Sequence, residues 1–178
     1  MNTIVIYKSK YGSTKAYGEW IAEELSCDAV DVKSVKVEDL LAYDTIIYGG
    51  GLYAENIAGV TLITKNLDKL KGKKIIIYTT GITPLDCRDY YDKLVMEKNF
   101  KGKDVTNIRV YHFLGKMILS ELSFPHRTAI KTLKKIMSEK ENPTNMEQLL
   151  VELCDVDGDF TDKNAIFDLV EYAKGKSY

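Results

Sequence analysis

Short runs of apolar residues, rich in β-branched and aromatic side chains, recur along the chain. Runs of this length without polar alternation are typical of strands that are buried on both faces, so they predict a parallel sheet. A shorter run, Ala29–Val32, is interrupted by Asp31 and predicts an exposed edge strand. The four buried strands are predicted at Thr3–Tyr7, Thr45–Tyr48, Lys74–Tyr78 and Ile108–Phe113.

Segments with helical spacing of apolar residues separate these runs. The third such helix is expected to start at Asp86 or Asp89, and the last near Thr161 or Asp162. Because strands and helices alternate, the predicted fold class is α/β. The apolar positions are Tyr17, Ile21 and Leu25 in the first helix, Val60, Ile63, Leu67 and Leu70 in the second, Tyr91, Leu94 and Val95 in the third, and Ile166, Leu169, Val170 and Ala173 in the fourth.

The alternation breaks between about Lys116 and Asp159, a stretch that is too long for an ordinary connection. The stretch has helical patterns of its own, one around Ile130 to Met137 and one that follows a capping box at Thr144–Glu147. We therefore expect one domain over residues 1–178, with an ordered helical insertion at about 116–159.

Charge balance, cysteine spacing and hydropathy argue against several classes of function. The chain has 25 Lys and Arg against 26 Asp and Glu, and this near-neutral balance gives no reason to expect a nucleic-acid partner. Cys27, Cys87 and Cys154 lack the spacing of a zinc site or a disulfide framework, so a reducing compartment is expected. The sequence has no leader-like segment and no apolar stretch of membrane-spanning length, so we expect a soluble, cytoplasmic protein.

A polar loop stands between the first predicted strand and the first predicted helix. A turn at this place directs backbone N–H groups and the positive end of the helix dipole to one point, which suits an anion. The loop lacks GxGxxG and GxxxxGK[ST], so it favours a monophosphate over a dinucleotide or a P-loop ligand. The alternative is a plain polar turn with Ser13 as the helix N-cap. Its residues are Ser9, Lys10, Tyr11, Gly12, Ser13 and Thr14.

Two further segments follow buried strands and are unusual in composition. Gly49–Tyr53 begins with three glycines, which would leave backbone amides bare enough to touch a flat ring. Thr79–Pro84 could supply an opposite wall and polar contacts to the edge of that ring. The alternative is that the glycines only form turns. The candidate ring-binding residues are Gly50, Gly51, Leu52, Tyr53, Thr80, Gly81, Ile82 and Thr83.

On these residues the chain resembles the flavodoxin superfamily, whose phosphate loop reads approximately [ST]-x-[TY]-G-x-T after the first strand. Ser9–Thr14 matches that pattern at each position. The resemblance implies a flavodoxin-like three-layer sandwich with a five-stranded parallel sheet of order 2-1-3-4-5. It also implies FMN as the cofactor, with its phosphate on Ser9–Thr14 and its ring between the two later segments.

Within the superfamily, the chain is most similar in pattern to flavodoxin-like protoporphyrinogen oxidases and their uncharacterised relatives. The helical insertion, the aromatic-Thr-Asp step at Phe160–Asp162 and the net charge of −1 carry this likeness. One departure from the oxidases is the insertion, which is longer and partly acidic, so porphyrin specificity is not carried over. A departure from many carrier flavodoxins is Ala54, which stands where they have a glycine that stabilises the flavin semiquinone. Alanine is expected to resist positive φ, which favours two-electron chemistry.

The function expected from this resemblance is an FMN-dependent oxidoreductase, with the flavin itself as the reactive group and no catalytic side chain. Its acceptor would be a quinone, a porphyrinogen or a redox partner protein. The alternatives are a flavodoxin electron carrier between protein partners and a domain without flavin that serves only in interactions. Cys87 beside Arg88 could be a reactive thiolate, although an incidental cysteine is the simpler interpretation. His112 and His126 are interpreted as structural.

Overall fold

A computed structural model describes residues 2–175. The chain folds into two compact units. In the described part, the first unit consists of residues 2–115 and 161–175, and the second consists of residues 116–160.

Eight strands are found in the described residues, and five of them build the parallel sheet of the first unit. The short β4 pairs antiparallel with β3, and the short β7 and β8 pair with each other in the second unit. The strands are β1 (Thr3–Lys8), β2 (Asp28–Asp31), β3 (Thr45–Tyr53), β4 (Asn56–Ile57), β5 (Lys74–Gly81), β6 (Ile108–Leu114), β7 (Lys116–Met117) and β8 (Gly158–Asp159).

Seven α-helices occur in the same part of the chain, together with three short 3₁₀ turns and one π-helical segment, Tyr90–Val95, which leads directly into α4. The 3₁₀ turns are Val32–Ser34, Leu119–Glu121 and Lys163–Ile166. The helices are α1 (Ser13–Leu25), α2 (Val37–Leu40), α3 (Thr61–Thr64), α4 (Met96–Phe100), α5 (Phe124–Ser138), α6 (Asn145–Leu153) and α7 (Phe167–Ala173).

The parallel sheet has the order β2-β1-β3-β5-β6, which is the predicted 2-1-3-4-5 when the five long strands are counted along the chain. The α/β fold class and the flavodoxin-like sheet are therefore confirmed. The strand order reverses beside β1, because the chain runs from β1 to β2 on one side and to β3 on the other. Parallel sheets bind ligands beyond the carboxyl ends of the strands at such a switch point.

Helices cover both faces of the sheet because right-handed crossovers in opposite directions place their helices on opposite faces. On one face, α1 and α7 contribute Tyr17, Ile21 and Leu169 to a buried cluster with Val5 and Ile76 of the sheet. Side chains alternate along a strand, so the intervening strand residues point to the other face. These include the fully buried Ile6, Ile46, Tyr48 and Ile77.

Several bounds differ from the predictions. Strand β3 continues through the three glycines to Tyr53, and β5 continues through the threonines to Gly81. The second predicted helix is reduced to the single turn α3, although Val60 and Leu70 on either side of it are buried as expected. In the third predicted helix, Leu94 is 47% exposed and does not pack on the apolar face as expected.

In the second unit, α5 and α6 are the two helices that the sequence predicts between Lys116 and Asp159. The capping box is confirmed: the Glu147 amide donates to Thr144 Oγ1, and Glu147 Oε2 accepts from the Thr144 amide. Strands β7 and β8 form the base of this unit, where Lys116 pairs with Asp159 and Met117 with Gly158.

Candidate functional site

The carboxyl ends of β1, β3 and β5 lie side by side, because these strands are neighbours in the sheet. The register places Lys8 of β1 beside Gly50, and Gly51 beside Thr80 of β5. The three segments that the sequence singles out therefore emerge at one edge of the sheet, in the order expected for a single site.

The loop after β1 ends at the N-terminus of α1, a helix of 13 residues. Gly12 occupies the N-cap position with φ 97°, a left-handed backbone conformation that glycine adopts without strain. The Gly12 amide donates to Ser9 Oγ at 3.1 Å, which closes the loop on itself. The first turn of α1 carries no acidic residue, so its dipole is open to an external anion.

The alternative interpretation of this loop, with Ser13 as the N-cap, is wrong. Ser13 is the first residue of α1 rather than its cap, and the cap residue Gly12 has no side chain to offer the helix. A glycine cap leaves room for a ligand oxygen where a serine cap would place its own hydroxyl.

Thr14 joins the phosphate-type loop to the end of β5. Its hydroxyl lies 2.7 Å from the Thr80 hydroxyl, and both side chains are buried. Only one of the two hydroxyls can donate in this pair, so the other keeps its proton for a further acceptor. Tyr78 of β5 is fully buried, and its hydroxyl donates to the Thr14 carbonyl oxygen at 2.8 Å.

The three glycines of β3 serve three different purposes. A Cβ on Gly49 would lie 1.9 Å from Cζ of Tyr78, and one on Gly50 would lie 2.7 Å from the Ala58 carbonyl oxygen. Both residues also take part in the pairing with β1, so they continue strand β3 and do not form a loop as expected. Gly51 lies under the ring of Tyr53, at 3.0 Å from a Cβ position to Cε2.

The turn between β3 and β4 corrects a second expectation. Ala54 has φ 46° and Glu55 has φ 61°, so both central residues of this two-residue hairpin are left-handed. A tight hairpin that follows the twist of its strands needs positive φ at both positions, and this requirement overrides the resistance of alanine. Asn56 stabilises the turn because its Nδ2 donates to the Ala54 carbonyl oxygen at 2.9 Å.

The end of β5 lies against both neighbouring strands. A Cβ on Gly81 would lie 3.5 Å from Cδ1 of Leu52, so these two candidates are adjacent rather than on opposite sides of a ring. On the other side, the Gly115 amide donates to the Gly81 carbonyl oxygen at 2.7 Å. Ile82 is half-buried, whereas Thr83 is buried and its carbonyl oxygen accepts from the Tyr91 hydroxyl at 2.6 Å.

His112 of β6 contacts the end of the neighbouring strand β5. His112 Nδ1 lies 2.7 Å from Thr79 Oγ1, and the imidazole stacks on Tyr91 with a centroid distance of 4.1 Å. Burial lowers the pKa of His112, Asp92 opposes this effect and Arg88 adds to it, so that the pKa lies at about 4. His112 is therefore neutral at physiological pH, in keeping with a structural role.

A lysine and two tyrosines belong to the segments that line the site. Lys10 is exposed, and its Nζ lies 5.5 Å from the centroid of the Tyr11 ring. Burial, together with the proximity of Tyr11, raises the pKa of Tyr53 to about 12, so this phenol stays protonated. Neutral aromatic rings suit a flat heteroaromatic ring, and the glycine-capped helix end suits a phosphate.

These donors fit a flavin mononucleotide. The cradle contains a glycine-capped helix N-terminus at one end, and Gly51 and Gly81 at the strand tips. The Thr14–Thr80 bond joins these two ends. Among residues 2–175, no cluster of His, Cys, Asp or Glu is arranged to hold a metal ion.

Cys87 does not have the surroundings of a reactive thiolate. Burial and the neighbouring Asp86 carboxylate raise its pKa above the usual range, which disfavours the ionised form. This favours the interpretation of Cys87 as an incidental cysteine. None of the helices in the described chain combines the length and apolar character needed to cross a membrane.

Sequence reasoning missed several residues that build the site. Gly115 follows the fourth buried strand and lies against Ser13, which its place at another strand end could have signalled. The helical spacing predicts only an apolar role for Tyr17, yet its hydroxyl donates to the Leu114 carbonyl oxygen and accepts from the Asp162 amide. Asn99 carries no signal in the sequence, although it contacts the β3–β4 hairpin.

The family described as Flavodoxin domain matches residues 4–145. No curated protein matches the chain. Among solved structures, flavodoxin 2 from Bacillus cereus is 18% identical with a TM-score of 0.47, and a flavodoxin from the domain Archaea is 16% identical with a TM-score of 0.44. Each match covers 98% of this chain and 99% of the other.

A rubredoxin:oxygen oxidoreductase from Desulfovibrio gigas is similar to 98% of this chain, which corresponds to 37% of that protein. The identity is 11% and the TM-score is 0.44. At such similarities these structures carry no argument about activity or partners.

Proposed function

Because the chain belongs to the flavodoxin domain family, we propose that it binds FMN at the tips of β1, β3 and β5 and acts as an FMN-dependent oxidoreductase. The observation that carries this proposal is the 2.7 Å bond between the buried Thr14 and Thr80 hydroxyls. This bond joins the N-terminus of α1, which suits a phosphate, to the end of β5, which suits a flat ring. A mononucleotide contains both a phosphate and a ring, so it needs both binding surfaces.

In this proposal, the backbone amides at the start of α1 and the hydroxyls of Ser9 and Ser13 hold the phosphate. Gly81 gives the ring close access to the backbone, and Leu52 and Tyr53, whose ring covers Gly51, pack against it. Bound flavin would supply the hydride and electron transfer, and the protein would position it and limit its exposure to water.

Titration of the flavin-free chain with FMN, followed by quenching of flavin fluorescence, tests this proposal. We expect the wild-type chain to quench, and Thr80→Val to weaken the affinity by about tenfold because it removes the bridging hydroxyl. Thr132→Val, an exposed position on α5, is the matched control and should bind as the wild type does. A wild-type chain that fails to quench FMN fluorescence would refute both redox functions and favour a domain that serves only in interactions.

The electron acceptor is the second part of the proposal. Sequence resemblance to flavodoxin-like protoporphyrinogen oxidases makes porphyrinogen one substrate to assay, and quinones are the other small-molecule class. The acidic residues of the second unit, among them Glu152 and Asp157, differ from the compact basic insertion of those oxidases. A turnover screen of the FMN-loaded protein against quinones, porphyrinogen and protein acceptors separates these possibilities.

An electron carrier between protein partners is a second candidate, and one observation favours it. Ala54 and Glu55 already adopt positive φ, so the argument from alanine against one-electron chemistry no longer applies. Photoreduction of the FMN-loaded protein distinguishes the two functions. Accumulation of the one-electron-reduced flavin spectrum favours a carrier, and direct conversion to the fully reduced spectrum favours the enzyme.

A further inference from the structure

The helix formed by the π-helical segment Tyr90–Val95 and α4, here called the 90–100 helix, is hydrogen-bonded to the β3–β4 hairpin through Asn99. Asn99 Oδ1 accepts from the Ile57 amide at 2.9 Å, and its Nδ2 donates to the Glu55 carbonyl oxygen at 2.7 Å. The same Nδ2 donates to the Val95 carbonyl oxygen of its own helix, also at 2.7 Å. The Asn99 amide thus bonds to the hairpin on both sides of Asn56.

This hairpin needs external support because both of its central residues are left-handed and neither is glycine. Positive φ is unfavourable for a residue with a side chain, because the Cβ approaches the following carbonyl oxygen. Such a conformation persists only where neighbouring groups hold it. Asn99 binds the carbonyl oxygen of Glu55, one of the two strained residues, and the amide at the start of the returning strand.

The opposite end of the same helix holds the other ring-side segment. The Tyr91 hydroxyl donates to the Thr83 carbonyl oxygen at 2.6 Å, and Tyr91 is 1% exposed. Tyr90 is also buried and packs edge-on against Tyr91 at a centroid distance of 5.0 Å. These two tyrosines belong to the π-helical segment, and π-helical turns occur frequently at functional sites.

We infer that the 90–100 helix is a clamp that sets the spacing of the two ring-side segments, Leu52–Ile57 and Thr80–Thr83, with Asn99 and Tyr91 as its positioning residues. The proposal rests on the proposed function for the identity of the ligand. Neither residue is assigned a contact with FMN: each acts through a backbone group of the segment that it holds.

Riboflavin separates this role from that of the phosphate loop because it carries the flavin ring without the phosphate. Loss of the clamp should weaken FMN and riboflavin by the same factor, since only ring contacts are affected. We expect Asn99→Ala and Tyr91→Phe each to weaken both ligands by about fivefold to tenfold. A variant of the phosphate loop such as Ser9→Ala should weaken FMN alone.

Two matched controls test whether the effect is specific. Asn66 on the connection after α3 donates from Nδ2 to the carbonyl oxygen four residues earlier, as Asn99 does, but it lies outside the two ring-side segments. Tyr111 donates its hydroxyl to the Asp168 carbonyl oxygen at 3.4 Å. Asn66→Ala and Tyr111→Phe should leave both affinities unchanged. Folded Asn99→Ala and Tyr91→Phe chains whose riboflavin affinities stay within about twofold of the wild type would overturn the clamp.

Hydrogen exchange in the flavin-free chain keeps this proposal separate from the proposed function. Asn99→Ala should increase exchange in Leu52–Ile57, and Tyr91→Phe should increase it in Thr80–Thr83, whether or not the chain binds FMN. Exchange that increases only within the 90–100 helix would refute the clamp. If the wild-type chain binds neither flavin while the two variants show the expected increases in exchange, the proposed function is refuted and the clamp is retained.

Discussion

The two ends of the candidate site are held in place by different physical means. At the phosphate end, the loop is fastened to the core by Tyr78, a fully buried side chain whose ring fills the space beside Gly49. At the ring end, the β3–β4 hairpin is strained at two residues and is held by the amide of Asn99. One end depends on packing, and the other depends on a few polar contacts at half-buried positions.

This difference indicates where each end is vulnerable. Packing defects at the phosphate end should lower the stability of the whole first unit, because Tyr78 belongs to its buried cluster. Changes at the ring end should act locally and appear in ligand affinity or hydrogen exchange before they appear in global stability. The predictions below test this contrast, from the largest expected effect to the smallest.

Gly49→Ala should give the largest loss of stability. The new Cβ would lie 1.9 Å from Cζ of Tyr78, so the ring or the strand must move. We expect the free energy of unfolding to fall by about 3 kcal/mol, and the melting temperature by roughly 6 to 12 °C. Gly81→Ala is the control, because its Cβ would lie at an ordinary 3.5 Å from Leu52. Equal losses in urea unfolding of the two variants would contradict the role of Tyr78.

The pH dependence of stability should report on His112, which supports the ring end from below. Its pKa is lowered to about 4 in the folded chain, so between pH 6.5 and 4 the unfolded chain binds more protons. The stabilisation is complete above pH 6.5 and is lost as the pH falls towards 4, by about 3 kcal/mol. Urea unfolding of the wild type and of His112→Gln at several pH values measures it. Identical pH dependence in both chains would contradict this prediction.

Tyr78→Phe separates the hydroxyl of this residue from its ring. It removes the bond to the Thr14 carbonyl oxygen and retains the packing, so we expect a loss of about 1 to 1.5 kcal/mol. Affinity for FMN should fall while affinity for riboflavin stays unchanged. Tyr111→Phe, whose hydroxyl makes a long bond at an exposed position, is the control. A parallel loss of riboflavin affinity would show that the two ends are not independent.

Ala54→Gly should have the smallest effect and the opposite sign. Glycine adopts the observed φ of 46° without strain, so stability should rise by about 0.5 to 1 kcal/mol. Ala16→Gly in α1 is the control, and it should lower stability by a similar amount because glycine is unfavourable within a helix. A destabilised Ala54→Gly chain would mean that the turn is not under strain.

The difference between the phosphate end and the ring end also explains which parts of the fold and of the site can be predicted from the sequence. The strands and the loop at Ser9–Thr14 depend on local periodicity and on position along the chain, and both are readable from neighbouring residues. The extension of β3 through Gly49–Gly51 is not readable in this way, because glycine is depleted in strands. The space that requires glycine at Gly49 is filled by Tyr78, which is distant in sequence.

The ring end was the harder part to predict for a related reason. Asn99 reaches Ile57 across 42 positions and Glu55 across 44, and no local pattern reports such a contact. Positive φ at Ala54 and Glu55 also contradicts residue preference, and it follows only from the pairing of Leu52 with Ile57 around a two-residue turn. Local rules fail here because tertiary contacts determine the conformation.

The pairing of β7 with β8 has a consequence for how this chain can change over time. Lys116 and Asp159 lie opposite each other, so the second unit begins and ends at neighbouring residues. The β7–β8 pairing brings the two ends of this segment together. The entropic cost of that closure rises only slowly with the number of residues between the two strands. We therefore expect the segment between Met117 and Gly158 to tolerate insertions, deletions or replacement, provided that the β7–β8 pairing is retained.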